Sequence, residues 1–163
     1  MDLGTALIGA IFLTVCMVPF IIMYYHRVKK ENVMLRSLKS IAQQQNCNID
    51  KYELCGDFAL GIDENRGFVF FYKQKNEETI RQFVNLSGVQ TCQVVKKTRN
   101  QKANKTNELV TTQVELCFTS TNKNNDETRF ELYDEEVNTQ LSGELQLAEN
   151  WAKQITERLK SKK

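Results

Sequence analysis

The sequence predicts an α+β protein: one N-terminal transmembrane helix, then an antiparallel β-barrel or sandwich capped by a C-terminal α-helix. Three observations predict it. An uncharged apolar run covers residues 3–25. Segments that alternate apolar and polar residues follow it, separated by short turn-forming stretches. In the last segment the apolar spacing returns to three and four residues. These shifts divide the chain into a transmembrane anchor (1–26), a juxtamembrane amphipathic helix (27–46) and a β domain with its closing helix (47–163).

The apolar run includes Leu3, Ile11, Pro19 and Tyr25 and holds 23 residues without a formal charge. As a helix it reaches about 34 Å, against a hydrocarbon core of about 30 Å. Only a helix satisfies its own backbone there, and Pro19 costs one hydrogen bond that membrane spans tolerate. Tyr24, Tyr25 and His26 mark an interface, with amphipathic rings at headgroup level. A cleavable signal would need a basic leader and small residues at its far end. Asp2 and the bulky Ile21-Ile22-Met23-Tyr24-Tyr25 run supply neither, so a retained signal anchor is expected. Arg27, Lys29 and Lys30 flank the C-terminal end of the run. The positive-inside rule then puts the N-terminus outside the cell membrane and the remaining domain in the cytoplasm. On that side the sequons at Asn85 and Asn104 go unused.

Past the span the helix is expected to continue to about Gln45. Met34, Leu38, Ile41 and Ala42 share one face, with Val28 and Leu35 beside it. Three fates are open to this stripe: packing on the following domain, a weak homodimer through a short coiled coil, or lying on the bilayer surface.

The strands come next. "CGDFALGID" alternates Phe58, Leu60 and Ile62, and "GFVFFYKQ" follows the Asp63-Glu64-Asn65-Arg66-Gly67 turn as a hairpin partner. "TIRQFVNL" and "VQTCQVVKKT" are separated by Ser87-Gly88. "LVTTQVELCFTST" sets Val110, Thr112, Val114, Leu116 and Phe118 on one face, and "ETRFELYD" ends the series, giving six strands in meander order. Ser142 is placed to cap the closing helix, and Glu144 suits its first turn. Leu145, Ala148, Trp151, Ala152, Ile155 and Leu159 form its apolar stripe, which must cover an open end or face of the sheets.

This order, with a tryptophan on the inward stripe of "AENWAKQI", resembles the pleckstrin-homology-like (PH-like) superfold over roughly residues 51–160. The resemblance implies two bent antiparallel sheets in a partly open barrel, plugged by the C-terminal helix. It also implies a seventh strand, sought near 49–54 or 135–140. Lipid-binding members carry several Lys and Arg around the first strand–strand turn. Here the matching turn, Asp63-Glu64-Asn65-Arg66, is acidic on balance, and Lys73 and Lys75 do not make up the deficit, which argues against phosphoinositide binding.

Composition narrows the function classes. With 22 basic and 20 acidic residues among 163, the chain lacks the basic surface of a nucleic-acid binder. Five cysteines include no C-x-x-C pair, and His26 is the only histidine, so neither a zinc site nor a histidine-activated nucleophile is expected. Free thiols are expected in a cytoplasmic domain. The most biased segment is "KKTRNQKANKT", where Lys96, Lys97, Arg99, Lys102 and Lys105 occur without an acid. It reads as a long solvated hairpin loop, or as a contact for anionic lipid. The expected role is a membrane-anchored, protein-binding or scaffolding module without catalysis, cofactor or metal. The alternative is a membrane-surface sensor of anionic lipid or of a small apolar ligand.

Overall fold

The computed structural model describes residues 3–75, 78–103, 106–121, 126–138 and 140–161. Helix α1 runs unbroken from Leu3 to Gln44, with Pro19 inside it. It is the one described helix long and apolar enough to cross a membrane. Ile11, Phe12, Leu13, Phe20 and Tyr25 all lie exposed along it. The helix ends in a Schellman motif. Asn46 takes a left-handed conformation (φ +54°), Cys47 N–H donates to the Ala42 carbonyl at 2.9 Å, and Asn46 N–H donates to that of Gln43.

Seven strands follow. β1 (Lys51–Cys55), β2 (Phe58–Asp63), β3 (Phe68–Lys75) and β4 (Glu78–Asn85) form one antiparallel sheet in that order. β5 (Val89–Ala103), β6 (Thr106–Ser120) and β7 (Glu127–Asp134) form a second. Helix α2 spans Glu144–Ser161. A strand that the six-strand reading lacked lies at Lys51–Cys55, whereas 135–137 is a turn. Consequently the first strand–strand turn is Gly56-Asp57, not Asp63–Gly67, which joins β2 to β3. Gly56 supplies the positive φ (+57°) that a two-residue hairpin turn needs at its first position. Among the described residues no strand is shared between the sheets, so the arrangement is two packed sheets and not a closed barrel.

A first core lies between the sheets and under α2, where Phe71 stacks on Phe130 at 4.9 Å and Phe118 tilts against Phe130 at 4.9 Å. Leu145, Ala148, Trp151, Ile155 and Leu159 all face it, as the stripe predicts. Trp151, 3% exposed, donates its indole N–H to Glu53 Oε2 at 2.9 Å and so ties α2 to the edge strand β1. α2 begins at Glu144, one residue later than a Ser142 cap sets it; Gly143 (φ +120°) precedes it, and the Glu144 carboxylate accepts from Ser142 N–H.

A second core lies on the outer face of the first sheet. There Met34, Leu38, Ile41 and Ala42 of α1 pack on Ala59, Phe70 and Tyr72. Of the three fates open to the stripe, the structure takes packing on the domain. The stripe of Met34, Leu38, Ile41 and Ala42 is thus covered by the chain's own first sheet. β2 is buried on both faces as a result, which explains its continuous run Phe58-Ala59-Leu60-Gly61-Ile62.

Candidate functional site

The junction where α1 leaves the domain forms a cleft. His26, Lys29, Lys30 and Val33 follow at three- and four-residue steps, so they share one helical face. That face and Asp57, Gln74, Val137 and Asn138 line a space of about 570 Å³. Asp57 belongs to the β1–β2 turn, whose position is fixed because Gln74 N–H donates to the Asp57 carbonyl at 2.9 Å. Oδ2 of Asp57 is shielded from solvent, and no hydrogen-bond donor reaches it. A second space of about 580 Å³ adjoins and shares Lys30, Asp57, Val137 and Asn138; Glu144 lines its far side. Of the predicted topology flank, Arg27 pairs with Glu31 at 2.9 Å on the exposed side. Lys29 and Lys30 take no ion pair among the described residues and lie exposed beside the cleft.

The basic segment is not a loop. β5 and β6 run on as a two-stranded arm, with Lys96 opposite Val114, Lys97 opposite Gln113 and Arg99 opposite Val110. Three of its cations are engaged: Lys96 with Glu149 at 2.7 Å, Lys97 with the Gln113 side-chain oxygen at 2.7 Å, and Arg99 with Glu135 at 2.8 Å. Lys102 lies in the arm and is paired with Asn107 in register; its side chain is outside the described residues, as is Lys105 entirely. Leu109 in the arm is 72% exposed.

Between the arm root and the first sheet lies a polar network that the sequence pattern does not announce. Lys73 is fully enclosed (0% exposed), and its ammonium donates to both the carbonyl and Oε1 of Glu131 at 3.2 Å. Lys75 reaches the same Oε1 at 3.4 Å and Asp134 at 2.9 Å. The Asp134 hydrogen bond raises the Lys75 pKa against the opposing pull of desolvation, and Lys75 in turn lowers that of Asp134. Lys73 is enclosed between the sheets, whereas Lys75, its side chain 31% exposed, stays at the rim and is held there by Glu131 and Asp134.

The five cysteines are all free. Burial pushes the Cys92 thiol up to about 12, with Cys117 adding to it, so Cys92 is a core residue and no nucleophile. Among the described residues no group of three or more His, Cys, Asp or Glu is placed to hold a metal ion. Sequence reasoning found the cationic helix face but missed its opposite wall. Its available signal was the Gly56-Asp57 pair, a hairpin-turn dipeptide just before the apolar run of β2. Lys29 and Lys30 bring two exposed cations to this junction, while Oδ2 of Asp57 is closed to solvent. No family model, curated protein or solved structure matches the chain.

Proposed function

We propose that the chain is a single-pass membrane protein that holds a PH-like domain at the cytoplasmic face as a protein-binding or scaffolding module. The observation that carries this reading is the continuity of α1. One helix has a bare apolar N-terminal part and a C-terminal part buried on the first sheet. A flexible linker is replaced by a rigid one, so the domain is held near its membrane partners at raised effective concentration. The PH-like assignment draws support from the four-plus-three strand order and from a closing helix whose buried tryptophan reaches the first strand. The docking surface is the outer half of the β5 edge, beyond the stretch where the Thr156 hydroxyl of α2 donates to the Cys92 carbonyl, or the groove beside α2, where an extended peptide docks.

The sensor alternative has less behind it. Three arm cations already hold partners, and the space between the sheets is filled by Phe58, Phe71, Phe118 and Phe130. A small apolar ligand would have to displace that packing.

The test joins topology and partner. The full chain, carrying a biotin-ligase label after Lys163, is expressed in its native membrane. The expected result is resistance to alkaline extraction with biotinylation of cytoplasmic proteins. Labelled neighbours should be lost when Thr98→Pro or Arg99→Pro spoils the outer half of the β5 edge. Extraction by alkali, labelling confined to the outer face, or neighbours indifferent to the β5 edge would each overturn the reading.

A further inference from the structure

From the course of the β5–β6 arm, we propose that its tip rests on the anionic headgroups of the same bilayer that α1 crosses, giving the domain a second hold on the membrane. The inference rests on the membrane reading above and adds a contact that reading does not use.

The arm leaves the domain by the same end as the span. Leu38 of α1 packs over Gly61, which pairs with Phe70 of β3, while Val33, five residues nearer the span, lines the junction cleft with Gln74. β3 therefore runs towards the end from which the span departs. β7 runs the same way, because Lys73 and Lys75 of β3 meet Glu131 and Asp134 of β7 in that order, at 3.2 and 2.9 Å. β7 stops at Asp134, opposite Gln113, and one residue on Glu135 N–H donates to the Thr112 carbonyl at 2.9 Å. Past that point β5 and β6 continue alone along the line β7 was taking.

Its length is enough to close the gap. Val137, two residues past Glu135, lines the cleft with His26 and Val33, which sets the arm root near the level of Val33. From Val33 back to Tyr25, at the end of the exposed apolar run, α1 covers about 12 Å. From Thr112 to Thr106 the arm extends about 20 Å. It passes the level of Tyr25 even with a lean of about 50° from the helix axis, whereas an arm half as long would end in water. Composition then names the surface it meets. Residues 96–105 carry five basic residues and no acid. The three nearest the root are held by Glu149, the Gln113 side chain and Glu135, and Lys102 and Lys105 follow them in sequence. Basic residues brought to the headgroup level of a cytoplasmic leaflet meet anionic lipid. The same lysines oppose pairing with the arm of a second copy, because like charges would face each other across that edge.

The test places an indole at either end of the arm, Ala103→Trp near the tip and Thr98→Trp at the root, in the full chain. Each variant is put into phosphatidylcholine nanodiscs that hold a headgroup spin label, with or without a minor fraction of phosphatidylserine. The parent chain, whose Trp151 is 3% exposed, supplies the reference emission. Protection of Cys47, Cys92 and Cys117 from maleimide confirms that each variant is folded. The expected result is loss of emission from Ala103→Trp, well beyond that from Thr98→Trp, deeper with phosphatidylserine and reversed by salt. Lys102→Gln with Lys105→Gln should remove the dependence on phosphatidylserine. An unquenched tip, equal quenching of tip and root, or quenching indifferent to phosphatidylserine would each overturn the proposal. So would a tip that lipid leaves unquenched but dissolved polyglutamate shifts to the blue, which would make the partner an acidic peptide. Failure of the chain to enter nanodiscs would refute the membrane reading as well, and is told apart from the other outcomes by that step alone.

Discussion

Removing either end of the Lys73–Glu131 contact should have very different consequences. The Lys73 ammonium is wholly enclosed, with one carbonyl and one carboxylate oxygen at 3.2 Å. At an effective dielectric near 20 the gross attraction across such a distance is about 5 kcal/mol. Glu131→Leu removes it and leaves an enclosed cation with one neutral acceptor. It also leaves Lys75, which had shared the same oxygen at 3.4 Å, facing a like charge. A stranded buried charge costs about 3–5 kcal/mol. Lys73→Met takes out the cation while keeping the length and volume of the side chain. Glu131 then still holds Lys75 and the Gln113 side-chain amide, which donates to it at 3.2 Å. That substitution should cost less than about 1.5 kcal/mol. Urea unfolding of the full chain in detergent, followed by fluorescence of Trp151, the single tryptophan, measures both. Equal losses for the two variants, or a larger one for Lys73→Met, would refute the reasoning.

Two further expectations follow from particular contacts. A Cβ at Gly61 would stand 3.0 Å from a Leu38 methyl and 3.1 Å from Ile49, so Gly61→Ala should be absorbed by small shifts, whereas Gly61→Leu should lift α1 at a cost of about 1–3 kcal/mol; faster maleimide labelling of buried Cys47 reports the lift, and unchanged labelling refutes it. Acid should loosen the fold at two points. Burial pushes the Asp63 carboxyl upward, but backbone donors from Arg66, Asn48 and Asn65 outweigh it and hold its pKa below the ordinary 3.8, as the Lys75 hydrogen bond does for Asp134. Both contributions are present above the unfolded pKa and lost as pH falls through the folded values. The urea midpoint should therefore drop below about pH 4, and Asp63→Asn should flatten that decline; an undiminished slope in the variant would contradict the assignment.

Alternation revealed the inner half of β5–β6 and β7, where one face is buried more than the other, whereas β2 and β3, buried on both faces, showed as short apolar runs on either side of a turn. β1 escaped because "KYELC" is a short edge strand, exposed along its first three residues, whose alternation amounts to Tyr52 and Leu54 alone. The outer half of β5 escaped for a related reason. As a two-stranded ribbon wetted on both faces, it is free to be lysine-rich, and its polarity reads as loop. The stripe of α1 was legible, but its destination was not, since helical periodicity names a buried face and never the surface that buries it. The cleft was half legible: the cations cluster in sequence, while Asp57, Gln74 and Val137 are brought opposite them only by the hairpin turn and by the return of the chain after β7. Lys73 looked like the polar end of a strand. Pleating turns it inward and the second sheet closes over it.

The unbroken course of α1 also sets an angle. From Tyr25 to Met34, where the clamp on the sheet begins, nine residues of helix advance about 14 Å and turn through two and a half revolutions. The direction that each face of the exposed apolar part takes is thereby geared to the direction in which the β5 edge points. Adding one alanine between Tyr25 and Arg27 would swing the domain by about 100° around the membrane normal without touching a single contact inside it. Twist applied to the span would emerge as rotation of the domain.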